Sequence, residues 1–375
     1  MKIKYSAHKS HTKLSSMSFP LTIFSILGFG MGILVLNSCN SASTHNQEMG
    51  PPYQVTFQNN EADKTIDVLI DDELFTTLRW QENLTKPVLH PIHTARGTAI
   101  TRGFPLNPKP GERADHPHQI GNWFTYGNVN GSDFWGNGSK GLGTTNANGG
   151  KIRLTSIEQL EEGEGEGKLT TTAQWIDSAG NFLLDEETAY HFRAVDSIRL
   201  IDRAVKLTAG SLPVSMPDTK EGMFGIRVAR ELELPAQGEI TLYSASGTPE
   251  KITERNNETI SGDYLSSTGE EGIGVWGTRA RWMNLSGTIE GEDISIAICD
   301  HPDNPNYPTW WHARGYGLFA ANPLGAKDFT KNEISADFKI PADNSVTFRY
   351  RIVISSGQHL TDEVINDFAD QFAEL

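Results

Sequence analysis

The segment Asp300–Gly315, which reads DHPDNPNYPTWWHARG, concentrates side chains that can do chemistry. They are two imidazoles, two adjacent indoles and one guanidinium, at His301, His312, Trp310, Trp311 and Arg314. Imidazole exchanges protons near neutral pH, and the three prolines of the segment restrict its backbone. The segment therefore predicts a rigid loop that aims acid–base groups beside aromatic ring faces.

A second candidate is the sequence DHPHQ, which begins the cluster Asp115–Trp135. His116 and His118 are two residues apart, so they point the same way on an extended chain. Pro117 favours that extended geometry in the residue before it. Two imidazoles on one side can share proton transfer or bind a divalent metal. A pair of hydrogen-bonded loop histidines is the alternative interpretation.

Charged side chains come from two further clusters, PDTKEGMFGIRVAR and GTRARWMN. The first has Lys220 and Glu221 in a turn before a β-rich run, and Glu221 could orient an imidazole or move a proton itself. Arg102, Arg227 and Arg279 could hold an acidic sugar or a developing oxyanion, because guanidinium binds a carboxylate at two points. A charged turn and solvated strand arginines are the alternative here.

The elements that must position these clusters are predominantly β-strands. Short β-branched or aromatic runs alternate with turn-rich stretches along the chain, as in YQVTF, KLTTTAQWI and SVTFRYRIVI. We predict an all-β fold, a large antiparallel β-sandwich with a short C-terminal helix. Thr361 is the expected N-cap of that helix, and its apolar stripe is predicted to contain Val364, Ile365, Phe368 and Phe372.

The N terminus has the pattern of an export signal. Four lysines precede an acid-free apolar run that ends in LNSC, a pattern similar to a bacterial lipoprotein cleavage box. We predict a signal peptide over residues 1–38, a lipidated Cys39, a polar tether over 39–50 and a single β-sandwich domain over 51–375. A plain signal anchor is the alternative. The protein is expected outside the cytoplasm, anchored to a membrane on the periplasmic side or at the cell surface.

Composition narrows the possible partners of the chain. The formal net charge is −15 over 375 residues, and an acidic surface repels the phosphates of nucleic acid. Tryptophan beside charged groups in a secreted acidic protein favours a saccharide pocket, because aromatic rings cover sugar faces while charged groups bind hydroxyls. A peptide groove has a similar composition. We expect a poly- or oligosaccharide partner, a lipid-anchored membrane contact and no nucleic acid.

Four of these segments together resemble the bacterial family labelled PmoA-like. They are DHPHQ, VNGSDFW, DTKEGMFGIRVA and DHPDNPNYPTWWHARGYGLFAANPLG, and the resemblance extends from about Tyr53 to the C terminus. It implies a sandwich similar to the galactose-mutarotase-like supersandwich, among secreted sugar-degrading proteins. Family members commonly have a third histidine where this chain has Gln119, which weakens a three-histidine metal site. The label refers to a membrane-embedded methane monooxygenase, and residues 39–375 contain no apolar stretch long enough to match one.

The leading hypothesis is a carbohydrate-active enzyme of the hydrolase, lyase or epimerase type. The expected catalytic groups are His116, His118, Glu221, His301 and His312. The expected substrate-binding groups are Arg102, Lys220, Arg227, Arg279, Trp310, Trp311 and Arg314. This hypothesis needs no cofactor.

Three other interpretations remain open. A metal-dependent enzyme would use His116, His118 and either His301 or Glu221 as ligands of a divalent ion. A non-catalytic glycan-binding lipoprotein would share the same pocket without turnover. In a purely structural interpretation the clusters are only the rigid corners of a large sandwich.

Overall fold

The computed structural model describes residues 53–375, which form two large antiparallel sheets whose strands we number β1–β21 along the chain. The nine-stranded sheet contains β1 (Gln54–Asn60), β2 (Thr65–Ile70), β3 (Glu73–Arg79), β4 (Val88–Ile92), β5 (Asn122–Tyr126), β7 (Gly163–Glu164), β12 (Gly222–Arg227), β18 (Trp310–Trp311) and β19 (Leu318–Asn322). The eight-stranded sheet contains β6 (Lys151–Glu161), β8 (Glu166–Ile176), β9 (Phe182–Val195), β10 (Ile198–Ala209), β15 (Asp263–Ser266), β16 (Trp282–Ile289), β17 (Glu292–Asp300) and β21 (Ser345–Ser356).

Smaller elements complete this part of the chain. Two short pairs are formed by β11 (Val214–Met216) with β20 (Phe338–Ile340) and by β13 (Ile240–Tyr243) with β14 (Pro249–Ile252). The helices are α1 (Ala326–Phe329) and α2 (Asp362–Ala373), and single 3₁₀ turns occupy Arg230–Leu232 and Gly272–Val275. The predicted signal peptide, Cys39 and the tether lie outside the described residues.

The two large sheets pack face to face over one apolar core. Along β21, the side chains of Phe348 and Tyr350 alternate with residues of the opposite face and are fully buried. The Tyr350 ring stacks on Phe224 of the other sheet, with centroids 4.6 Å apart, and Phe75 meets Phe192 edge-on at 6.2 Å. The prediction of a large antiparallel sandwich is therefore confirmed.

Helix α2 covers the outer face of the eight-stranded sheet. Thr361 caps it as predicted, because its hydroxyl accepts a hydrogen bond from the Val364 amide at 3.4 Å. Ile365, Ala369 and Phe372 face the sheet, in a cluster with residues of β10, β16, β17 and β21. Val364 was wrongly placed in that stripe. It precedes Ile365 by one residue, a turn of about 100° around the helix, and its side chain is exposed.

Strands β19, β12 and β5 are neighbours in the nine-stranded sheet. On the face turned away from the sandwich core, Trp123 of β5 and Leu318 and Ala320 of β19 form a second apolar cluster with Trp135. The segments that precede or follow these three strands carry three of the four polar clusters predicted from sequence, and the fourth, GTRARWMN, precedes β16 of the other sheet. Within residues 53–375, no helix combines the length and the apolar character that a membrane crossing needs.

The outer face of the eight-stranded sheet contains a buried ion pair. Arg351 of β21 donates to both carboxylate oxygens of Asp202 on β10, at 2.6 and 2.8 Å, and to the Phe368 carbonyl of α2 at 2.9 Å. Both side chains are at least nine-tenths buried. The Arg351 guanidinium thus connects strands β10 and β21 to helix α2.

We expect the variant Asp202→Ala to lose about 3–5 kcal/mol of the free energy of unfolding, because the Arg351 guanidinium would stay buried without a counter-charge. Urea denaturation followed by tryptophan fluorescence measures this loss. Asp185→Ala is the matched control, since Asp185 is an exposed residue of the adjacent strand β9 and should change stability by less than about 0.5 kcal/mol. Equal stabilities for the two variants would contradict the assignment.

Candidate functional site

One cavity of about 640 Å³ is lined by residues from three of the four clusters. Six residues predicted from sequence take part in its lining: His116, His118, Lys220, Glu221, His312 and Arg314. They precede β5, β12 and β19, the three neighbouring strands of the nine-stranded sheet. The sheet therefore brings together side chains that are almost two hundred residues apart in the chain.

Glu221 is positioned by the pairing of β12 with β5. Gly222 of β12 lies opposite Tyr126 of β5, and the next amide, that of Gly127, donates to the Glu221 carbonyl at 2.7 Å. A Cβ atom at position 127 would lie 2.7 Å from the Cβ of Glu221, so this close approach requires glycine. The Lys220 ammonium contacts the Glu221 carboxylate at 2.8 Å, and this hydrogen bond raises the pKa of Lys220.

His312 is oriented by its backbone and by a carbonyl, and its burial favours the neutral imidazole. Its amide donates to the Ala320 carbonyl at 2.8 Å, and its Nδ1 lies 2.7 Å from the Lys220 carbonyl oxygen. A carbonyl can only accept, so the proton is on Nδ1 and Nε2 has a free lone pair. Burial lowers the pKa of His312 to about 4. The ring also stacks on Trp135, with centroids 6.2 Å apart and an interplanar angle of 14°.

His116 and His118 lie together at another part of the cavity lining. Their ring centroids are 5.7 Å apart, and the His116 ring is parallel to the Tyr316 ring at 5.2 Å. His118 is buried, and this burial, assisted by the charge of Lys86, lowers its pKa to about 2. The Lys86 ammonium, itself buried, donates to the His118 carbonyl at 2.7 Å. The pair therefore consists of one half-exposed and one buried imidazole.

Arg102 and Arg227 do not offer free guanidinium groups to a substrate, so their predicted role is wrong. Both are fully buried, at 1% and 0% exposure. Each donates to the same carboxylate oxygen of Asp115, at 2.7 and 2.6 Å, and Arg227 also donates to the Gln119 side chain. Both guanidinium groups hold the segment Asp115–Gln119 in place from its buried side, because a buried guanidinium requires acceptors within the protein.

His301 does not line this cavity. Its Nδ1 accepts a hydrogen bond from the Asp303 amide at 3.1 Å, and its ring packs edge-on against Phe372 of α2 at 5.0 Å. The reason is the path of the chain. Strand β17 of the eight-stranded sheet ends at Asp300, whereas β18 and the following His312 belong to the nine-stranded sheet. The proline-rich segment connects the two sheets, so its two histidines are placed on different parts of the molecule.

Arg279, Trp310 and Trp311 also lie outside the cavity lining, in contrast to the prediction. The Arg279 guanidinium stacks on the Trp310 ring at 4.3 Å and donates to the carbonyls of Pro308 and Asn306, both at 2.8 Å. Trp311 is fully buried and donates its indole N–H to a backbone carbonyl at 3.0 Å. The exposed Arg279 side chain and the buried Trp311 indole thus both make their hydrogen bonds to backbone carbonyls and hold the proline-rich segment in place.

Sequence reasoning did not assign five side chains of the cavity to the site: Gln119, Asp133, Trp135, Asn148 and Tyr316. Burial raises the pKa of Asp133, although its carboxylate accepts the Gly136 amide at 2.7 Å. The available signal was the motif VNGSDFW, in which a lone acid stands among small and aromatic residues. Tyr316 stands between two glycines, a pattern that indicates close backbone approach.

The proposed metal-binding arrangement is not formed in the part of the chain that the structure describes. Among residues 53–375, no three His, Cys, Asp or Glu side chains are grouped as the ligands of a metal ion. His301 is held near α2 and Glu221 is bonded to Lys220, so neither one completes a ligand set with the two imidazoles of DHPHQ.

Comparison with protein families gives one match, over residues 65–370, to a family described as of unknown function, DUF6807. No curated protein sequence matches the chain. The matched description contains no PmoA-like label, so that name stays a prediction from the motifs.

Similar solved structures include two α-galactosidases and an epimerase. The GH36 α-galactosidase AgaB from Geobacillus stearothermophilus is 11% identical with a TM-score of 0.37, and the galactosidase domain of α-galactosidase-sucrose kinase AgaSK is 9% identical with a TM-score of 0.35. Both alignments cover 80% of this chain and 41% of the other, so the chain spans about two fifths of these structures. Galactose 1-epimerase from Lactobacillus acidophilus NCFM is 8% identical with a TM-score of 0.31, over 83% of this chain and 100% of that one.

We predict that the protein loses stability as the pH falls from 7 to 5. His118 and His312 stay neutral in the fold, with pKa values of about 2 and 4, whereas the unfolded chain binds protons at these histidines below pH ~6.5. The unfolded state therefore binds more protons in this window, and each histidine should cost about 2 kcal/mol at pH 5.

Urea denaturation of the wild type and of His118→Gln/His312→Gln at several pH values measures this dependence. The double variant should have a smaller slope of unfolding free energy against pH. The same slope in both proteins would mean that the two imidazoles are not held neutral by the fold.

Proposed function

The chain belongs to the DUF6807 family of unknown function, and we propose that its cavity binds a saccharide and transfers protons to and from it. The proposal rests on one observation, that Asp133, Glu221 and His312 line the same cavity beside aromatic rings. The reaction would be of the hydrolase, lyase or epimerase type. In each of these, a sugar oxygen gains a proton while a hydroxyl, a carbon or a water loses one.

The two carboxyl groups of the cavity have different surroundings, which supports different roles. Burial raises the pKa of Asp133, so this group retains a proton more readily and suits a general acid. Glu221 is half exposed and forms an ion pair with Lys220, which suits a general base. Enzymes that act on sugars commonly divide the acid and base roles in this way between two carboxyl groups.

His312 supplies a third proton-handling group. Its Nδ1 proton is bound by the Lys220 carbonyl, so Nε2 can accept a hydrogen bond from a sugar hydroxyl or the proton itself. A pKa of about 4 keeps the imidazole in this acceptor form at neutral pH. Trp135 lies against the ring and limits its rotation.

The stacked rings of His116 and Tyr316 provide an aromatic surface in the same cavity. Ligand sites of this kind combine ring faces with a few converging polar groups, and a pyranose presents both kinds of surface. This combination favours a saccharide over an extended peptide, which would need an open sheet edge or a longer groove.

Asp133→Asn and Glu221→Gln should each reduce turnover by about 100-fold or more while the saccharide still binds, because each removes a proton-transfer group and keeps its shape. A panel of oligosaccharides and reducing sugars can be assayed by reducing-end release, by absorbance of unsaturated uronates and by NMR exchange of anomers. These three readouts separate the hydrolase, lyase and epimerase types.

Glu239→Gln is the matched control, because Glu239 is an exposed acid paired with Lys251 outside the cavity and should retain wild-type turnover. Full activity in both cavity variants would exclude the proposed acid–base roles. Saccharide binding without turnover in the wild type would instead identify a glycan-binding protein.

We also propose that the protein is exported and anchored through Cys39, on the strength of the N-terminal pattern alone. Replacement of this cysteine removes the lipidation site. Cys39→Ser should therefore abolish incorporation of labelled palmitate and shift the protein from the membrane fraction. Unchanged labelling and fractionation would contradict the lipoprotein assignment.

A further inference from the structure

Arg314 lines the cavity, and its guanidinium forms no salt bridge with any of residues 53–375. Its backbone is fixed by a tight turn, since the Arg314 amide donates to the Leu318 carbonyl at 2.7 Å and the Gly317 amide donates to the Arg314 carbonyl at 3.0 Å. Its guanidinium lies 4.7 Å from the ring centroid of Trp276, which in turn packs edge-on against Phe329 at 5.1 Å. Because the Trp276 indole is itself packed against Phe329, stacking on it fixes the plane of the Arg314 guanidinium. The N–H groups along the edge of that plane stay available for hydrogen bonds to a ligand.

Within residues 53–375, the Arg314 side chain donates no hydrogen bond and forms no salt bridge. Its Nε is buried and has no partner. The Nε atoms of Arg102 and Arg227 are unpartnered as well, but the terminal nitrogens of those two residues bind Asp115. An unmet guanidinium hydrogen is costly, and a ligand that accepts from it would recover that cost.

The acidic side chains that line this cavity are already engaged. Glu221 is bonded to Lys220, and Asp133 accepts the Gly136 amide. The Glu221 hydrogen bond raises the pKa of Lys220 and burial lowers the pKa of His312, and repulsion from Arg314 is a smaller influence on both groups. The guanidinium therefore lies close to the proposed catalytic groups. Among the described residues of the cavity lining, Arg314 is thus the cationic side chain that has no salt-bridge partner, on a chain with a net charge of −15.

We propose that Arg314 binds the carboxylate of an acidic saccharide, so that the substrate class is a uronic acid or a chain that contains one. This inference rests on the proposed function. The planar carboxylate accepts two parallel hydrogen bonds from the edge of a guanidinium, in the plane that stacking on Trp276 leaves open. A single positive charge also matches the single negative charge of this group. Arg314 is thereby the specificity-determining residue of the site.

The test compares D-galacturonate and D-glucuronate with D-galactose and D-glucose, by NMR titration of the full chain. The wild type should prefer at least one of the acids over its neutral counterpart, and Arg314→Met should lose about 10- to 100-fold of affinity for that acid with little change for the neutral sugar. Arg279→Met is the matched control, because Arg279 also stacks on a tryptophan but lies outside the cavity lining.

A second measurement needs no variant. The methyl ester of the preferred uronate keeps its shape without its charge, so it should bind the wild type as weakly as the neutral sugar. Equal binding of acid and ester, or a preference for a sulfated sugar over the uronate, would overturn the assignment of Arg314. Binding of neutral sugars alone would overturn this inference and leave the proposed function standing, whereas no binding of any saccharide would overturn both.

Discussion

The shared carboxylate of Asp115 is the contact on which the cavity depends. It is the salt-bridge partner of both Arg102 and Arg227, which are fully buried and would destabilise the fold by several kcal/mol if this partner were removed. Arg102 also donates to the carbonyls of His116 and Gln119, both at 3.1 Å, so the whole segment before β5 is held in place. Burial alone raises the pKa of Asp115, but a hydrogen bond from His116 and the two arginines outweigh it and hold that pKa well below its usual range.

Burial and pairing together decide which groups of the site are charged. Where burial outweighs the nearby charges, it favours the neutral form, as at His118, His312 and Asp133. Burial likewise favours the neutral form of Lys86, which donates to the His118 carbonyl, and lowers its pKa to about 7. Glu221 and Lys220 form an ion pair instead. A cavity that contains neutral imidazoles, a protonatable acid and one ion pair is suited to proton transfer near neutral pH.

Local sequence patterns were sufficient to predict the architecture. Short β-branched and aromatic runs such as SVTFRYRIVI predicted strands, in this case β21, and Thr361 predicted the start of α2. Each signal depends on residues a few positions apart. The strand pattern of SVTFRYRIVI does not show that Arg351 pairs with Asp202 beneath the helix. No local pattern shows that a distant helix will cover one face of a strand.

For the candidate site too, local sequence patterns predicted one part of the arrangement and long-range contacts decided the rest. The sequence by itself determined that imidazoles, carboxylates and guanidiniums occur in short, rigid segments between strands, because proline, glycine and turn chemistry act on neighbouring residues. Only the tertiary structure decided that His312 joins Glu221 while His301, eleven positions earlier, lies against Phe372. The physical reason is that sheet pairing and burial are long-range: they choose which segments meet, and they determine which charges are neutralised within the protein and which remain for a ligand.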